Sequence, residues 1–303
     1  MGSSTWHDPI RFNMGKKMKI SLIKPNSVNV DPWVPEFRSL GINVLVNNID
    51  SDCDFIICAS HSQVGLLKNA HYRYPKTPII NYNWDLYGWI WKNPGTYDWR
   101  SYGEMLFKST EIWCPSNEVI KRTEEFFKLG YKCKVIKTFA RFFNYDGDIT
   151  DNRYVLNPMR PYIFDKNYGW LKKACQELDI PLKESNHSLT EKEFQKTIAQ
   201  CSFLCTEYHE ASTGGLTLLE GYRLSKPVIV SDSEYMGARD YFGDRAIYFD
   251  DNNYHNFKFT LNKVWNNTPV LNIEECRAFT DTIPSVKEMV MQMANRLWEI
   301  KNK

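Results

Sequence analysis

The sequence has no long apolar run, and this absence limits what the chain can be. None of its apolar stretches approaches the ~20 residues that a membrane-spanning helix needs. Its first residues are polar and lack the apolar segment of a signal peptide, and we interpret residues 1–13 as a leader before the native start. These features predict a cytoplasmic protein. Its 303 residues suffice for two domains of about 150 residues each.

Closely spaced cysteines and metal-ligand patterns are also missing. The eight cysteines include no C-x-x-C pair, and several lie in strand-like apolar runs, which predicts reduced, buried thiols. The histidines show no metal-binding spacing. Two Asp-x-Asp triplets, at 50–52 and 146–148, are typical of turns. The sequence therefore predicts neither a disulfide framework nor a metal site.

The chain has little net charge, +2, but the charge is uneven. Residues 16–141 contain 18 Lys and Arg against 12 Asp and Glu, whereas residues 142–303 contain 19 against 23. A basic first half could attract a polyanion or make peripheral contact with an anionic membrane surface. Ordinary variation of surface charge explains the asymmetry equally well.

What the sequence does contain is an alternation of short β-branched runs and helical stretches. Strands are predicted at 19–23, 43–47, 54–58, 78–81, 111–114, 134–137, 154–156, 202–205, 228–230 and 246–249. Helices are predicted near 61–70, 98–109, 117–129, 166–178, 191–200 and 254–265, and from 285 onward. This pattern indicates an α/β protein with parallel sheets covered on both faces. A polar, turn-rich break at 141–153 separates a predicted N-terminal domain, 14–145, from a C-terminal domain, 146–303. The last helix could pack back on the first domain.

The most informative stretch is residues 209–221, followed by a short strand. Gly214 and Gly215 let a backbone approach a ligand and open a helix whose free N–H groups suit a phosphate. Glu220 lies further along that helix and can accept hydrogen bonds from a sugar or ribose hydroxyl. Lys226 and Pro227 then lead into an apolar run typical of a buried parallel strand. Such a loop, helix and strand form a cradle for a nucleotide or sugar phosphate.

This stretch resembles the nucleotide-sugar site of the retaining GT-B glycosyltransferases of family 4, the group 1 glycosyl transferases. The matching residues are Gly215-Leu216, Leu219-Glu220 and Lys226-Pro227-Val228-Ile229-Val230. The resemblance implies two Rossmann-like domains that face each other across a cleft. One departure is that the glycine-rich loop usual after the first strand is replaced by Lys24-Pro25-Asn26-Ser27.

The resemblance also implies which residues bind the donor. Arg160 and Lys166 would hold the diphosphate, and Glu220 would bind the ribose. The loop that would contact the donor comprises Ser212, Thr213, Gly214, Gly215 and Leu216. The family's first acid would fall at Ser212, and the nearest acid is Glu210. Either the loop is two residues longer and Glu210 is the catalytic acid that orients the sugar, or that acid is missing.

A tryptophan-rich loop follows the predicted strand at 78–81. Its position matches a His-Asp-like acceptor-side motif of the family, with Asn83, Trp84 and Asp85 as rough equivalents. We expect Asp85 to act in catalysis and Asn83, Trp84, Trp89 and Trp91 to bind the acceptor. Packing of an amphipathic helix explains the tryptophans equally well.

The resemblance implies a retaining hexosyltransferase, and the lack of metal-ligand patterns predicts that it is metal-independent and has no cofactor. It would move a sugar from a UDP- or GDP-sugar to a hydroxyl of a glycan or lipid-linked glycan. Two alternatives remain open. The acceptor could be a modified base of phage-type DNA, flipped out and stacked on the tryptophans. The protein could also be a catalytically inactive GT-B binding module, because Ser212 replaces an acid.

Overall fold

The computed structural model describes residues 17–25, 30–84, 98–139, 145–158, 169–185, 189–206, 216–232, 239, 242–266 and 272–303. Within them the chain forms two parallel β-sheets, one of six strands and one of five. All the ladders between neighbouring strands are parallel. Helices cover both faces of each sheet, as the sequence predicts.

The first sheet contains the first six strands of the chain. They are β1 (Lys19–Ile23), β2 (Asn43–Val46), β3 (Phe55–Cys58), β4 (Ile79–Tyr82), β5 (Glu111–Cys114) and β6 (Cys133–Val135), in the spatial order β2-β1-β3-β4-β5-β6. Strands β3, β4 and β5 are buried at every position, as expected for a parallel sheet with helices on both faces.

In the described part of the chain, four helices connect these strands. They are α1 (Trp33–Ser39), α2 (Val64–Arg73), α3 (Trp99–Lys108) and α4 (Asn117–Phe127). The start of α4 is set by Ser116, whose Oγ accepts a hydrogen bond from the Val119 N–H. Helix α1 packs on one face of the sheet, and α2, α3 and α4 pack on the other.

The second sheet contains β7 (Val155–Asn157), β8 (Leu182–Glu184), β9 (Phe203–Cys205), β10 (Val228–Ser231) and β11 (Ile247–Phe249), in the order β11-β10-β9-β7-β8. Its helices are α5 (Trp170–Glu177), α6 (Glu191–Gln200), α7 (Leu216–Arg223) and α8 (Tyr254–Asn266), followed by α9 (Ile273–Thr280). Helices α5 and α8 pack on one face, and α6 and α7 pack on the opposite face.

The last helix, α10 (Val286–Lys301), returns to the first sheet. A capping box fixes its start, with Ser285 and Glu288 each bonding the other's backbone N–H. Its apolar stripe lies in the same core cluster as β1, β2 and α1; this stripe comprises Met289, Val290, Met293, Ala294 and Leu297. Because α1 and α10 share this face, residues from the two ends of the sequence complete one core.

Both sheets have the strand order of a doubly wound fold. Counted along the chain, the first sheet runs 2-1-3-4-5-6 and the second runs 2-1-3-4-5. Ligands of such folds bind at the carboxyl ends of the strands, where the order reverses. That point lies between β1 and β3 in the first sheet and between β7 and β9 in the second.

The predicted strands and most predicted helices are present, and the expectation of reduced, buried thiols is confirmed at all eight cysteines. Helices α1 and α9 and strand β8 were not anticipated. The Asp50 to Asp52 triplet lies in a turn, where both carboxylates pair with Lys19 at 2.9 and 2.5 Å. Among the described helices, none is both long and apolar enough to cross a membrane.

Candidate functional site

The point where the second sheet reverses its strand order is the natural place for a ligand. Strand β7 ends at Asn157, and the chain then runs to α5 on one face of the sheet. Strand β9 ends at Cys205, and the chain then runs to α7 on the other face. In doubly wound folds, ligands bind between two strands whose connections run to opposite faces in this way.

Most of the predicted donor residues belong to the two segments that follow these strands. Residues 159–168 connect β7 to α5, and residues 207–215 connect β9 to α7. Neither segment is among the described residues, so the placement of these side chains stays a prediction. The residues concerned are Arg160, Lys166, Glu210, Ser212, Thr213, Gly214 and Gly215.

Helix α7 begins at Leu216, directly after the glycine pair, as the sequence predicts. Its Leu218, Leu219 and Tyr222 are fully buried in the core shared with β9 and β10. A Cβ atom at Gly221 would lie 2.7 Å from Leu204 Cδ1, so glycine is what allows this close approach of α7 to β9. The part of α7 from Leu218 to Tyr222 is therefore packed closely against the sheet.

Glu220 lies in the middle of α7 and is deeply buried. Only 2% of the residue is exposed, and both carboxylate oxygens are inaccessible to solvent. A carboxylate at this depth needs hydrogen-bond donors to offset the loss of hydration. Its predicted contact with a ribose hydroxyl stays a prediction.

The lysine of the Lys-Pro pair has a structural role. Lys226 is 5% exposed, and its Nζ donates to the carbonyl of Thr150 at 2.6 Å. Burial lowers the pKa of this lysine. The bond ties the turn between α7 and β10 to the segment that leads from the first sheet to the second.

Several polar residues that the sequence analysis did not single out end the apolar strands of the second sheet. Asn157, Thr206 and Ser231 are 1% exposed or less, and each stands at or just after a strand's carboxyl end. The Ser231 Oγ has no hydrogen-bond partner in the described part of the chain. Next to it, Asp232 receives two hydrogen bonds from Arg239, at 2.6 and 2.8 Å. A polar residue that ends an apolar run is the signal that could have found them.

The predicted acceptor residues follow β4 in the first sheet. Asn83 is 1% exposed, its Nδ2 donates to Thr123 Oγ1 at 3.0 Å, and the Tyr102 hydroxyl donates to its Oδ1 at 3.1 Å. The Trp84 Nε1 donates to the carbonyl of Ala59 at 2.7 Å. The ring of Trp84 stacks on that of Trp33 at 5.9 Å. Both residues thus have packing roles in the first domain.

Acceptor binding by Asn83 and Trp84 stays a prediction. Asp85, Trp89 and Trp91 are not among the described residues, so their predicted roles stay predictions as well.

In the first sheet, the segment at the end of β1 is held by side chains in place of a glycine-rich loop. Lys24 is 7% exposed and forms an ion pair with Asp31. The side chain of Asn47 bonds the Lys24 backbone twice, accepting from its N–H at 2.8 Å and donating to its carbonyl at 3.0 Å. A cation therefore stands at the carboxyl edge of this sheet, where its strand order reverses.

Comparison with solved structures identifies the architecture. HepE of Anabaena in complex with UDP-glucose superposes with a TM-score of 0.66 at 12% identity, over 93% of this chain and 100% of HepE. The lipopolysaccharide outer core galactosyltransferase WaaB, in its apo form, gives 0.65 at 13% identity, over 94% and 100%. A glycosyltransferase from Rickettsia africae gives 0.62 at 12% identity, over 95% and 99%.

The fold is GT-B. No protein-family model matches the chain, and none of the curated proteins matches it significantly. The prediction of two Rossmann-like domains in the GT-B arrangement is confirmed. Asn83 and Trp84 belong to the first of these domains, and Glu220 and Ser231 belong to the second.

Proposed function

We propose that this GT-B protein is a retaining, metal-independent glycosyltransferase of the family 4 type. It would transfer a sugar from a nucleotide-sugar donor to a hydroxyl of a glycan or lipid-linked glycan. One observation supports this most. The segments that carry the predicted cations and the predicted glycine pair follow β7 and β9, the two strands between which the second sheet reverses its order.

Neutralisation of negative charge is the basis of the proposed donor site. When the bond between the anomeric carbon and the phosphate breaks, negative charge grows on the departing nucleoside diphosphate. Arg160 and Lys166 would neutralise this charge, and the N–H groups at the start of α7 would share it. Glu220 would accept hydrogen bonds from the ribose. HepE binds UDP and UDP-glucose, which favours a uridine nucleotide here.

The acceptor side of the proposal lies on the first domain. Asp85 would act near the reacting hydroxyl, and Trp89 and Trp91 would stack on the acceptor sugar. Glu210 would orient the donor sugar on the opposite side. In a retaining reaction the acceptor attacks the face that the phosphate leaves, and the phosphate oxygen helps to remove the hydroxyl proton.

Binding of the donor can be tested directly. We expect UDP or GDP, and more strongly a nucleotide sugar, to raise the melting temperature in the presence of EDTA. An Arg160→Ala/Lys166→Ala double variant should lose this stabilisation. Lys172→Ala, which removes an exposed lysine of α5, is the matched control and should retain it. A strict need for manganese or magnesium would refute metal independence.

Transfer is tested with a radiolabelled donor and a panel of acceptors. We expect the labelled sugar to be transferred to a glycan or glycolipid, with the anomeric configuration of the donor preserved in the product. Binding without transfer or hydrolysis would instead indicate an inactive binding module. Label in DNA would instead show that the acceptor is a nucleic acid.

A further inference from the structure

Three exposed aromatic side chains lie at the amino-terminal edge of the first sheet. Tyr72 is in the last turn of α2, Phe107 is in the last turn of α3, and Tyr131 is in the short 3-10 turn after α4. Their exposed fractions are 61%, 64% and 73%. One exposed ring is ordinary, but several together mark a contact surface.

Two lysines join these rings into one surface. The Lys108 Nζ lies 5.3 Å from the centre of the Tyr72 ring. The Lys132 Nζ lies 5.3 Å from that of Phe107 and 6.0 Å from that of Tyr131. Lys132 is fixed there because its Nζ also donates to the carbonyls of Phe107 at 2.5 Å and Ser109 at 2.9 Å. We call these three aromatic residues and two lysines the aromatic–basic patch.

The segments that carry the patch are basic, and two acids of the adjoining helices contact them: Glu104, and Glu124, whose Oε2 accepts a hydrogen bond from the Gly130 N–H at 2.7 Å. The three segments that carry the patch, residues 71–78, 106–110 and 128–132, contain no Asp or Glu. Their cations are Arg73, Lys76, Lys108, Lys128 and Lys132. Glu104, one helical turn before Lys108, pairs with it at 2.9 Å.

Other acidic residues at the same edge lie beside β1 and β3, where lysines pair with them. Asp50 and Asp52 pair with Lys19, and Asp54 pairs with Lys301. The edge is therefore divided into a neutralised part under β1 and β3 and a basic, aromatic part before β4, β5 and β6.

We infer that the aromatic–basic patch docks the protein on an anionic lipid surface. Aromatic rings settle at the headgroup level of a bilayer, and neighbouring lysines attract anionic headgroups while their stems cover apolar surface. A protein partner fits less well, because the cores of protein interfaces are depleted in lysine. Here lysines alternate with the rings.

The position of the patch makes docking compatible with ligand binding. Its segments directly precede β4, β5 and β6, so they lie at the opposite edge of the sheet from Asn83 and Trp84. Docking on lipid therefore leaves the carboxyl edge of the sheet open to the cleft. The inference does not depend on which reaction the protein catalyses.

Sedimentation with lipid vesicles tests the inference. We expect the full-length protein to pellet with vesicles of phosphatidylcholine and phosphatidylglycerol, less so in high salt, and not with phosphatidylcholine alone. Phe107→Ser/Tyr131→Ser and Arg73→Gln/Lys76→Gln should each weaken binding by roughly tenfold or more. Phe259→Ser is the matched control, since Phe259 is 67% exposed on α8 of the second domain and lies outside the patch.

The charge variant is Arg73→Gln/Lys76→Gln and the aromatic variant is Phe107→Ser/Tyr131→Ser. Because Arg73 and Lys76 are exposed, the charge variant should fold normally and provides a test even if the aromatic variant folds poorly. Equal binding by wild type, the aromatic variant and the charge variant would overturn the inference, and so would absence of binding to the anionic vesicles. Light scattering that shows a dimer abolished by the patch variants would instead assign the surface to a second copy of the chain. Patch-dependent binding of single-stranded DNA would assign it to nucleic acid.

Discussion

The Arg296 Nη2 in α10 lies 2.5 Å from Glu111 Oε1 in β5, and its Nε donates to Glu111 Oε2 at 2.8 Å. A two-point ion pair thus joins residues 185 positions apart in the sequence. The Trp113 Nε1 donates to the same carboxylate at 2.9 Å. Because the Glu111 side chain is only 8% exposed, this pair fixes the last helix on the first sheet from within.

The pair predicts a pH dependence of stability. Burial alone raises the pKa of Glu111. The hydrogen bonds from Arg296 and Trp113 lower it by a larger amount, so the pKa of Glu111 in the folded protein lies below its ordinary value. The unfolded chain therefore holds this proton more tightly than the native one. The stabilisation is complete above an unfolded pKa of about 4.3 and is lost as the pH falls through the lower folded pKa.

Glu111→Gln should accordingly lower the free energy of unfolding by about 3 kcal/mol at neutral pH, because it leaves Arg296 without its carboxylate. As the pH falls below ~4 toward the folded pKa, the difference from wild type should shrink progressively, because the wild-type carboxyl then becomes protonated as well. Urea unfolding across this range measures both effects. Arg223→Gln, which breaks an exposed ion pair with Asp281, is the control and should cost at most ~1 kcal/mol. A constant difference at all pH values would contradict the assignment.

Glu220→Ala should weaken nucleotide binding by about 1.5–3 kcal/mol, the range for a hydrogen bond to a charged group. Glu220→Gln should lose less, because the amide keeps one acceptor oxygen. Calorimetric titration with UDP or GDP measures both variants. Glu274→Gln, on the exposed surface of α9, serves as the control. Unchanged affinity in a folded Glu220→Ala protein would make Glu220 a purely structural acid.

The two interpretations of the donor loop predict different effects of Glu210→Gln. If the loop is two residues longer than in the family, this change should reduce turnover and leave the affinity for free UDP or GDP nearly unchanged, because only the sugar contact is lost. Steady-state rates with and without competing nucleotide give the comparison. Normal turnover would favour the interpretation in which Ser212 marks a missing acid.

The tryptophans after β4 should fall into two groups. Trp84→Phe removes the bond to the Ala59 carbonyl and should cost about 1 kcal/mol of stability, with donor affinity unchanged. Trp89→Ala and Trp91→Ala should instead lower acceptor use, by roughly 1–3 kcal/mol if a base or ring stacks there. Melting temperatures measured beside acceptor kinetics separate the groups. Early melting together with lost donor binding would show Trp89 and Trp91 to be core residues.

Local chemistry made much of this structure predictable. The apolar run after Lys226 and Pro227 indicates β10, and the helical pattern near 117–129 indicates α4, because both signals act within a few residues. Helix α1 was harder to predict, since Pro32 and Pro35 suggest a break although proline is tolerated in the first helical turn. Strand β8 has only three residues and is exposed at two of them, so it shows no apolar pattern.

The contacts that depend on the whole fold could not be predicted. No local pattern relates Arg296 to Glu111, or Lys226 to Thr150, because only the sheet order brings them together. The burial of Glu220 and that of the Ser231 hydroxyl at the end of β10 could not be predicted for the same reason. The donor-site assignments depend on the motif that the chain shares with the family it resembles. The placement of their side chains in 159–168 and 207–215 stays a prediction.

The return of α10 to the first sheet has a consequence for biosynthesis. About 150 residues separate the end of β6 from the start of α10, so at roughly 5–20 residues per second the ribosome needs about 8–30 s to supply that helix. During this interval the apolar face that α10 covers has no partner helix. The nascent first domain must therefore be shielded, or wait partly folded, until the second domain has been translated.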